Sequence, residues 1–402
     1  MNKTFEKQKA ARWGYVILGV VLLLFLGLIY AWSVFRVPLE KEFGWTKAQS
    51  STTFSISMMM FCLGGLVSGI ITRKRGPRFT LTICAICLAI GFVASSHVNS
   101  LLGIYVTYGC FCGFGVGLGY NASISTLVGW FPDKQGLVSG ISLMGFGLGS
   151  MLLGTVGAQL IVSQGWRRTF VIFGISFAFI MLLGAFLLRP VAETFVDQLT
   201  VDKNKKLCIS VEEADYRTML RRKNFWLYFI WALILSAAGL AIINSSTVYA
   251  GTFLTDNLTK AAATAGIVSI TNGLGRVVFG QVFDSKGYKI TMLCVSVTFV
   301  ISALVLMASY RTQEMPVLIL AFVLIGLAYG GVTPTNSAYT AYFFGRENYA
   351  LNFSITNLNL IFASYLGPMC GNGSYMMTFT AILIFAVIGF FVALAIRKPK
   401  QV

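Results

Sequence analysis

The chain has 402 residues, of which 56% are hydrophobic and only 11% are charged. Soluble globular proteins carry about 25% charged residues, so this composition excludes a soluble enzyme as well as a disordered chain. A membrane protein with several spans remains. Basic residues outnumber acidic ones by 31 to 14, a formal net charge of +17, and in a membrane protein the distribution of these charges reports orientation.

Twelve stretches are long and apolar enough to be transmembrane helices, which need about 20 mostly apolar residues. We number them spans 1–12 in chain order. The first six are predicted at 15–35, 51–72, 80–96, 101–130, 136–162 and 170–188. The second six are predicted at 225–249, 262–283, 290–309, 317–342, 349–369 and 375–396. We do not expect span 1 to be a cleaved signal peptide, because its apolar stretch is too long and no cleavage site follows it.

The basic residues are distributed unevenly between the two sides of the predicted membrane. With the N-terminus inside, 23 of them fall on the cytoplasmic side and seven on the outer side. Because cytoplasmic loops are enriched in lysine and arginine, we predict a multi-pass protein of the plasma (inner) membrane with both termini in the cytoplasm. One basic residue belongs to neither group: Arg276 lies inside span 8.

The two groups of six spans repeat one another. The loops after spans 2 and 8 share a spacing of glycines and charged residues, offset by 211 positions. These residues are Gly69, Arg73, Lys74, Gly76 and Arg78 in the first loop, and Gly280, Asp284, Ser285, Gly287 and Lys289 in the second. We predict an N-terminal six-helix bundle over 1–188, a cytoplasmic linker over 189–224 and a C-terminal six-helix bundle over 225–402. A parallel repeat of this kind places a substrate path between the halves, at the membrane midplane.

Twelve spans, a central loop and a G-x-x-x-D-[RK]-x-G-[RK] loop in each half resemble the major facilitator superfamily over the whole chain. The resemblance implies an all-α polytopic membrane protein with the major facilitator fold, built from two six-helix pseudo-repeats and working by alternating access. It also implies that the two loops act as conformational switches. Their switch residues would be Gly69, Arg73, Lys74 and Gly76 in the first loop, and Gly280, Asp284 and Gly287 in the second. Arg73 departs from the pattern, which has an aspartate at that place.

Arg276 is the one charged residue inside a predicted span. All fourteen acidic residues fall in loops or tails, so no predicted span offers it a carboxylate. An arginine at a helix centre costs about 2.5–3.5 kcal/mol on insertion scales, and it does not lose its proton. Its guanidinium matches a carboxylate with two parallel hydrogen bonds. We therefore predict that Arg276 binds an anionic substrate. The alternative is a structural arginine that donates to carbonyl groups of a neighbouring helix.

Span 8 is similar to that of the oxalate/formate antiporter family and, more distantly, of the monocarboxylate transporters. In these families an arginine at this place binds the substrate carboxylate. Residues 27–33, 130–136 and 165–167 also match the family. Two departures matter. The oxalate carrier has a lysine in span 11, where this chain has Asn357 and no basic residue nearby. Proton-coupled monocarboxylate carriers have an aspartate one turn before the arginine, where this chain has Asn272.

These features predict a secondary transporter of small monocarboxylates such as formate, lactate or pyruvate, because one cation suits one carboxylate. Asn272 does not carry a proton, so proton symport loses its obvious site. An empty carrier would have to pass through its occluded state with the charge of Arg276 uncompensated. A bound anion removes this penalty, so anion exchange is favoured over net flux. The alternatives are a proton-coupled monocarboxylate symporter, an oxalate/formate-type dicarboxylate exchanger and, in a different class, a non-transporting sensor on the same fold. An enzyme is not expected.

Other substrate contacts are predicted on the spans that line the cavity in the superfamily. They are Tyr30 and Trp32 in span 1, Tyr120 and Asn121 in span 4, Asn244 in span 7, Asn272 in span 8, Tyr329 in span 10 and Asn357 in span 11. The alternative role for tyrosine and asparagine inside a span is contact between helices. Glycines spaced four apart in spans 4 and 5 predict close helix packing. We expect a monomer whose partners are a small carboxylate and the lipid bilayer, with no nucleic acid, cofactor, metal or catalytic residue.

Overall fold

The computed structural model describes residues 3–191, 213–253, 258–371 and 374–398. Every regular element in these ranges is helical. The predicted linker lies largely outside the described residues, which resume at residue 213. The all-α fold class is confirmed.

The first six spans are formed by helices with three kinds of interruption. Span 1 comprises Lys3–Leu26, a 3-10 turn over Gly27–Ala31, and Trp32–Phe43. Spans 2 and 3 lie in one element, Lys47–Ser95, which Gly76 divides with φ +79°. Span 4 comprises Leu101–Ile104, a π-helical segment over Tyr105–Cys112, and Gly113–Trp130. Spans 5 and 6 lie in Gln135–Leu187, which Gly165 divides with φ +81°.

The second six spans follow the same plan. A short helix, Tyr216–Arg221, precedes span 7, Lys223–Gly251. Spans 8 and 9 lie in Leu258–Thr312, which Gly287 divides with φ +81°. Span 10 is Met315–Phe344, span 11 is broken into Tyr349–Asn357 and Asn359–Gly371, and span 12 is Tyr375–Ala395.

Eight segments of the described chain are long and apolar enough to cross a membrane. Three of them contain one of the dividing glycines and therefore supply two spans each, while span 11 is missing from the eight because it is broken. The described helices thus account for the twelve predicted spans. A glycine marks each of the three tight reversals because only a residue without Cβ adopts these positive φ angles without strain. Two of these glycines, Gly76 and Gly287, belong to the repeated loop motif.

The chain packs as two compact units, and each unit includes a short segment from the other half of the sequence. Unit 1 consists of Met1–Pro132, Gly145–Leu207 and Asn348–Ile355. Unit 2 consists of Asp133–Met144, Cys208–Glu347 and Thr356–Val402. The start of span 5 therefore packs with the second half of the sequence, and the start of span 11 packs with the first half.

Glycines allow the helices of unit 1 to approach closely. A Cβ at Gly117 in span 4 would lie 2.0 Å from the carbonyl oxygen of Phe61 in span 2. A Cβ at Gly149 in span 5 would lie 2.0 Å from the carbonyl oxygen of Leu24 in span 1. Both distances are far inside van der Waals contact, so these helices touch backbone to backbone. The prediction that the glycines of spans 4 and 5 serve helix packing is confirmed.

Candidate substrate site around Arg276

Arg276 is buried in unit 2, with 8% of its surface exposed. Its Nε donates to Oδ1 of Asn272, one turn earlier on span 8, at 3.1 Å. Its Nη1 donates to the carbonyl oxygen of Leu143 in span 5. The spacing of four residues places Asn272 and Arg276 on the same face of the helix. The contact with Leu143 is the kind that the structural alternative for this arginine requires.

The pair retains donors that nothing in the described chain satisfies. Nη2 of Arg276 makes no hydrogen bond and Arg276 forms no ion pair among the described residues. Nδ2 of Asn272, a side chain only 5% exposed, also has no partner within the described ranges. Because Oδ1 of Asn272 already accepts from Nε, its Nδ2 is held as a donor beside the guanidinium. A buried amide donor without a partner and a free Nη2, both next to a fixed positive charge, are complementary to an anion.

Glycine contacts fix the backbone of span 8 around Arg276. A Cβ at Gly140 of span 5 would lie 2.2 Å from the carbonyl oxygen of Arg276, and one at Gly330 of span 10 would lie 2.3 Å from that of Asn272. Span 8 is therefore held from two sides at the level of the arginine. Because neither neighbour can shift without breaking a backbone contact, the guanidinium is positioned by packing as well as by its hydrogen bonds.

The loop after span 8 is tied to the beginning of span 5. Oδ1 of Asp284 accepts from the backbone N–H of Gly136 at 2.8 Å, and Oδ2 accepts from that of Leu137 at 2.7 Å. These N–H groups belong to the first turn of the span-5 helix, where backbone donors lack partners within the helix. Burial raises the pKa of Asp284 to about 6, although the two backbone hydrogen bonds act in the opposite direction. Nearby Asp133 raises this pKa further and Lys134 lowers it.

The loop after span 2 has a different arrangement. A Cβ at Gly69 would lie 2.6 Å from Cα of Leu351, so the loop abuts the first turn of span 11. Arg73 and Lys74 are exposed, and Gly76 has the positive φ that ends span 2. The switch role of both loops stays a prediction, but only the second loop provides a carboxylate.

The predicted site residues of unit 1 lie in two environments. Tyr30 is 37% exposed, with its ring centroid 5.3 Å from that of Phe146, and Tyr120 packs 5.1 Å from the same phenylalanine. Trp32 is buried, its Nε1 donates to the carbonyl oxygen of Ser50 at 2.8 Å, and its ring packs against that of Tyr108 in a tilted arrangement with the centroids 4.5 Å apart. The N–H of Trp32 is thus committed to a neighbouring helix.

Asn121 connects three spans within unit 1. Its Nδ2 donates to the carbonyl oxygen of Ala350 and to Oγ of Ser354, both at 2.9 Å. Oγ of Ser354 lies 2.7 Å from the carbonyl oxygen of Gly65 and donates to it. This arrangement matches the helix-contact alternative for a mid-span asparagine, although Oδ1 of Asn121 has no partner among the described residues.

The remaining predicted residues belong to unit 2. The ring of Tyr329 covers Gly239 of span 7, where a Cβ would lie 2.2 Å from the ring. Oδ1 of Asn357 accepts from Nδ2 of Asn336 at 2.7 Å, at the point where span 11 breaks. The side chain of Asn244 lies outside the described residues.

Sequence reasoning missed the other contacts of Arg276. Its acceptor on span 5 is a backbone carbonyl, which every residue possesses and which therefore leaves no sequence signal. Gly136 and Gly140, four residues apart at the beginning of span 5, did carry a signal for close approach to a neighbouring helix. The carboxylate of Glu213, described below, was also missed, because it lies in a loop that reads as a solvated linker.

A helical protein with twelve predicted spans, a sequence repeat and a buried arginine without an ion pair among the described residues has the features of a membrane carrier. The chain matches the family model described as Major Facilitator Superfamily over residues 17–368, and it belongs to that superfamily. Membership confirms the predicted fold class and the prediction of a multi-pass transporter rather than an enzyme.

Named relatives extend the comparison. The chain is 27% identical to the oxalate:formate antiporter of Oxalobacter formigenes over 408 residues, covering 97% of this chain and 94% of that protein. It is 25% identical to the uncharacterized MFS-type transporter YhjX of Escherichia coli, covering 88% of this chain and 86% of that protein. Human monocarboxylate transporter 6 is 30% identical over 183 residues, 45% of this chain and 36% of that protein.

Among solved structures, the chain is similar to the proton:xylose symporter XylE bound to 6-bromo-6-deoxy-D-glucose. The TM-score is 0.71 at 15% identity, with 96% of this chain and 95% of that chain covered. At this level of identity the similarity shows the fold alone.

Proposed function

We propose that this protein carries small monocarboxylates such as formate, lactate or pyruvate across the plasma (inner) membrane, with both termini cytoplasmic, and that it works as an anion exchanger. The observation that carries the proposal is the pair Arg276 and Asn272, a buried permanent cation next to a buried amide donor. A carboxylate supplies acceptors for the free Nη2 of the arginine and for the orphaned Nδ2 of the asparagine. A carboxylate carries one negative charge on two acceptor oxygens, which matches one cation next to one neutral donor.

The hydrogen bonds already made by Arg276 restrict how a carboxylate binds. Because Nε is occupied by Oδ1 of Asn272, a carboxylate does not pair with the Nε–Nη2 edge unless it displaces that bond. The anion therefore approaches the Nη2 end of the guanidinium, and the carbonyl of Leu143 competes with it at Nη1. A bound anion replaces a neutral acceptor by a charged one, which strengthens the hydrogen bond roughly twofold.

Exchange follows from the charge of the site. An arginine without a carboxylate costs about 2.5–3.5 kcal/mol at the centre of a membrane helix, and Asn272 does not neutralise it. A bound anion removes this penalty, so the loaded carrier changes conformation more readily than the empty one. Net transport then requires a return trip with another anion.

The test uses the purified protein in liposomes loaded with radiolabelled formate, lactate or pyruvate. We expect efflux of at least one of them to accelerate about tenfold when the same unlabelled anion is added outside, with protein-free liposomes as the background. Efflux above that background that is equally fast with and without external anion would falsify exchange. A complete lack of counterflow for all three would contradict the proposed substrate class, and would favour the non-transporting sensor.

A second candidate is a dicarboxylate exchanger of the oxalate:formate type, and the 27% identity to that antiporter over nearly the whole chain favours it. Within span 11, however, this chain has Asn357, which is hydrogen-bonded to Asn336, and no basic residue. External oxalate in the same liposomes separates the two candidates. Trans-stimulation by oxalate as strong as that by formate supports the dicarboxylate exchanger. If Asn357→Lys is needed before oxalate is accepted, the monocarboxylate proposal stands.

A further inference from the structure

A carboxylate at the beginning of the second half binds the loop before span 11. Oε1 of Glu213 accepts from the backbone N–H of Arg346 at 3.1 Å, and Oε2 accepts from that of Glu347 at 3.0 Å. The next residue continues the contact, because the N–H of Ala214 donates to the carbonyl oxygen of Phe344 at 3.1 Å. Three hydrogen bonds therefore join residues 213–214 to residues 344–347.

The local backbone is shaped to receive this carboxylate. Gly345 has φ +80°, and a Cβ built on it would lie 2.1 Å from Oε2 of Glu213. Any other residue would be strained in this conformation and would also occupy the position of the carboxylate. Gly345 therefore satisfies two independent requirements of the same contact.

The geometry repeats that of Asp284 at the beginning of span 5. In both places the two oxygens of one carboxylate accept from the N–H groups of two consecutive residues. One pair is Gly136 and Leu137, and the other is Arg346 and Glu347. Spans 5 and 11 are counterparts in the sequence repeat.

The two carboxylates come from different parts of the chain. Asp284 belongs to the loop motif of the second half, but the corresponding position of the first half is Arg73. An arginine side chain has no acceptor atom and does not cap backbone N–H groups. The first loop therefore has no acidic residue at this position, and Glu213 of the linker provides a carboxylate with the same kind of contact.

Both contacts lie where the chain passes from one unit to the other. Unit 1 ends its first segment at Pro132, and Asp284 binds the residues that follow shortly after. Unit 2 ends a segment at Glu347, one of the two residues that Glu213 binds. Each carboxylate therefore binds backbone at or next to the beginning of one of the two short segments, 133–144 and 348–355.

We propose that Glu213 is a positioning residue of the transport machinery, a clamp that closes together with that of Asp284 in the conformation described here. The end of the central linker is then part of the conformational switch rather than a passive tether. Breaking either clamp favours the conformations in which both are open, so the two contacts are coupled although no side chain is shared between them.

Hydrogen exchange of backbone amides tests this coupling without any substrate, so its outcome is independent of which anion is carried. Glu213→Gln removes the charge and leaves one acceptor for two N–H groups. We expect the amides of residues 345–348 to exchange about three- to tenfold faster, the size expected for charge-assisted hydrogen bonds near the surface. We also expect faster exchange at residues 135–138, which Glu213 does not touch. Asp284→Asn should give the reciprocal result.

The matched control is Glu314→Gln. Glu314 is also an exposed glutamate and lies directly before span 10, but its side chain makes no capping hydrogen bond. The Glu314→Gln variant should leave amide exchange at residues 345–348 and 135–138 unchanged. Gly345→Ala, which forces the carboxylate of Glu213 away, should reproduce the effect of Glu213→Gln, and Glu213→Asp should restore part of the protection.

Two results would overturn the proposal. Unchanged exchange at 345–348 in Glu213→Gln would mean that the carboxylate does not hold the loop. Faster exchange at 345–348 alone, with residues 135–138 protected as before, would mean that Glu213 stabilises a local turn and has no part in the switch.

Discussion

The repeat places the same pair of positions together twice, once with a neutral bridge and once with a charged one. Gly65 and Arg276 are 211 positions apart, and so are Leu143 and Ser354. In unit 1, Oγ of Ser354 in span 11 donates to the carbonyl oxygen of Gly65 in span 2. In unit 2, Nη1 of Arg276 in span 8 donates to the carbonyl oxygen of Leu143 in span 5. Each bridge joins a side chain on one span to a backbone carbonyl on its partner.

The two bridges differ in how completely they are satisfied. The hydroxyl of Ser354 donates to Gly65 and accepts from Asn121, and Asn121 also donates to Ala350. The atom of this bridge without a partner among the described residues is Oδ1 of Asn121, an acceptor that an anion does not satisfy. Arg276 retains a free Nη2 beside the orphaned Nδ2 of Asn272. A duplicated contact has therefore remained structural in one unit, while in the other its charge makes it suitable for an anion.

The largest effect is expected from removing the charged bridge. We expect Arg276→Gln to reduce counterflow of the transported monocarboxylate at least about 100-fold. The proposed pair is formed by Arg276 and the bound carboxylate, and the loss of one partner of a buried charge pair costs several kcal/mol. Ser354→Ala, the matched change in the neutral bridge, should keep counterflow within about fivefold, since one neutral hydrogen bond contributes only about 1 kcal/mol. Counterflow rates of the two variants in liposomes, at equal protein content, measure the contrast. Equal losses would show that Arg276 is structural, as Ser354 is.

A smaller effect is expected when Arg276 is kept and a negative charge is placed beside it. Asn272→Asp places a carboxylate beside Nε of Arg276, so the empty site becomes neutral and the need for a returning anion disappears. We expect efflux without external anion to rise about tenfold. It should also become faster at low pH, because protonation of the new aspartate frees Arg276 for the substrate. The wild type should show neither behaviour. An Asn272→Asp carrier that still requires external anion would disconnect Asn272 from exchange.

The sequence predicted the twelve spans because hydropathy and charge distribution depend only on which residue stands at each position of the chain. It also predicted the isolation of Arg276, since the positions of all acidic residues are visible in a sequence. It did not predict the acceptor for this arginine, because the carbonyl of Leu143 has no side-chain signature. The break of span 11 at residue 358 was equally invisible, since neither glycine nor proline stands there.

The repeat would have allowed a further prediction. The offset that relates the two loop motifs also relates Gly65 to Arg276 and Leu143 to Ser354, so an expected contact in one half implies its counterpart in the other. The contact of Glu213 could not be predicted from the sequence, because it depends on how the end of the linker folds against the loop at Gly345. Its carboxylate comes from the linker and not from the loop motif that the repeat relates to Asp284.

The smallest effect concerns the pH dependence of the contact that Asp284 makes with Gly136 and Leu137. The folded protein raises the pKa of Asp284 from its ordinary value of 3.8 to about 6 because of burial. A carboxyl group with a raised pKa contributes stability below its ordinary pKa, and this contribution is lost as the pH rises through about 6. From pH 4 to pH 6 we therefore expect the melting temperature of the wild type to fall by about 2–4 °C relative to that of Asp284→Asn. The control Asp215→Asn, which changes an exposed helix cap, should follow the wild type over this range. Parallel curves for the wild type and Asp284→Asn would mean that the backbone N–H groups of Gly136 and Leu137 compensate the burial of the charge, so that this clamp closes equally well at either pH.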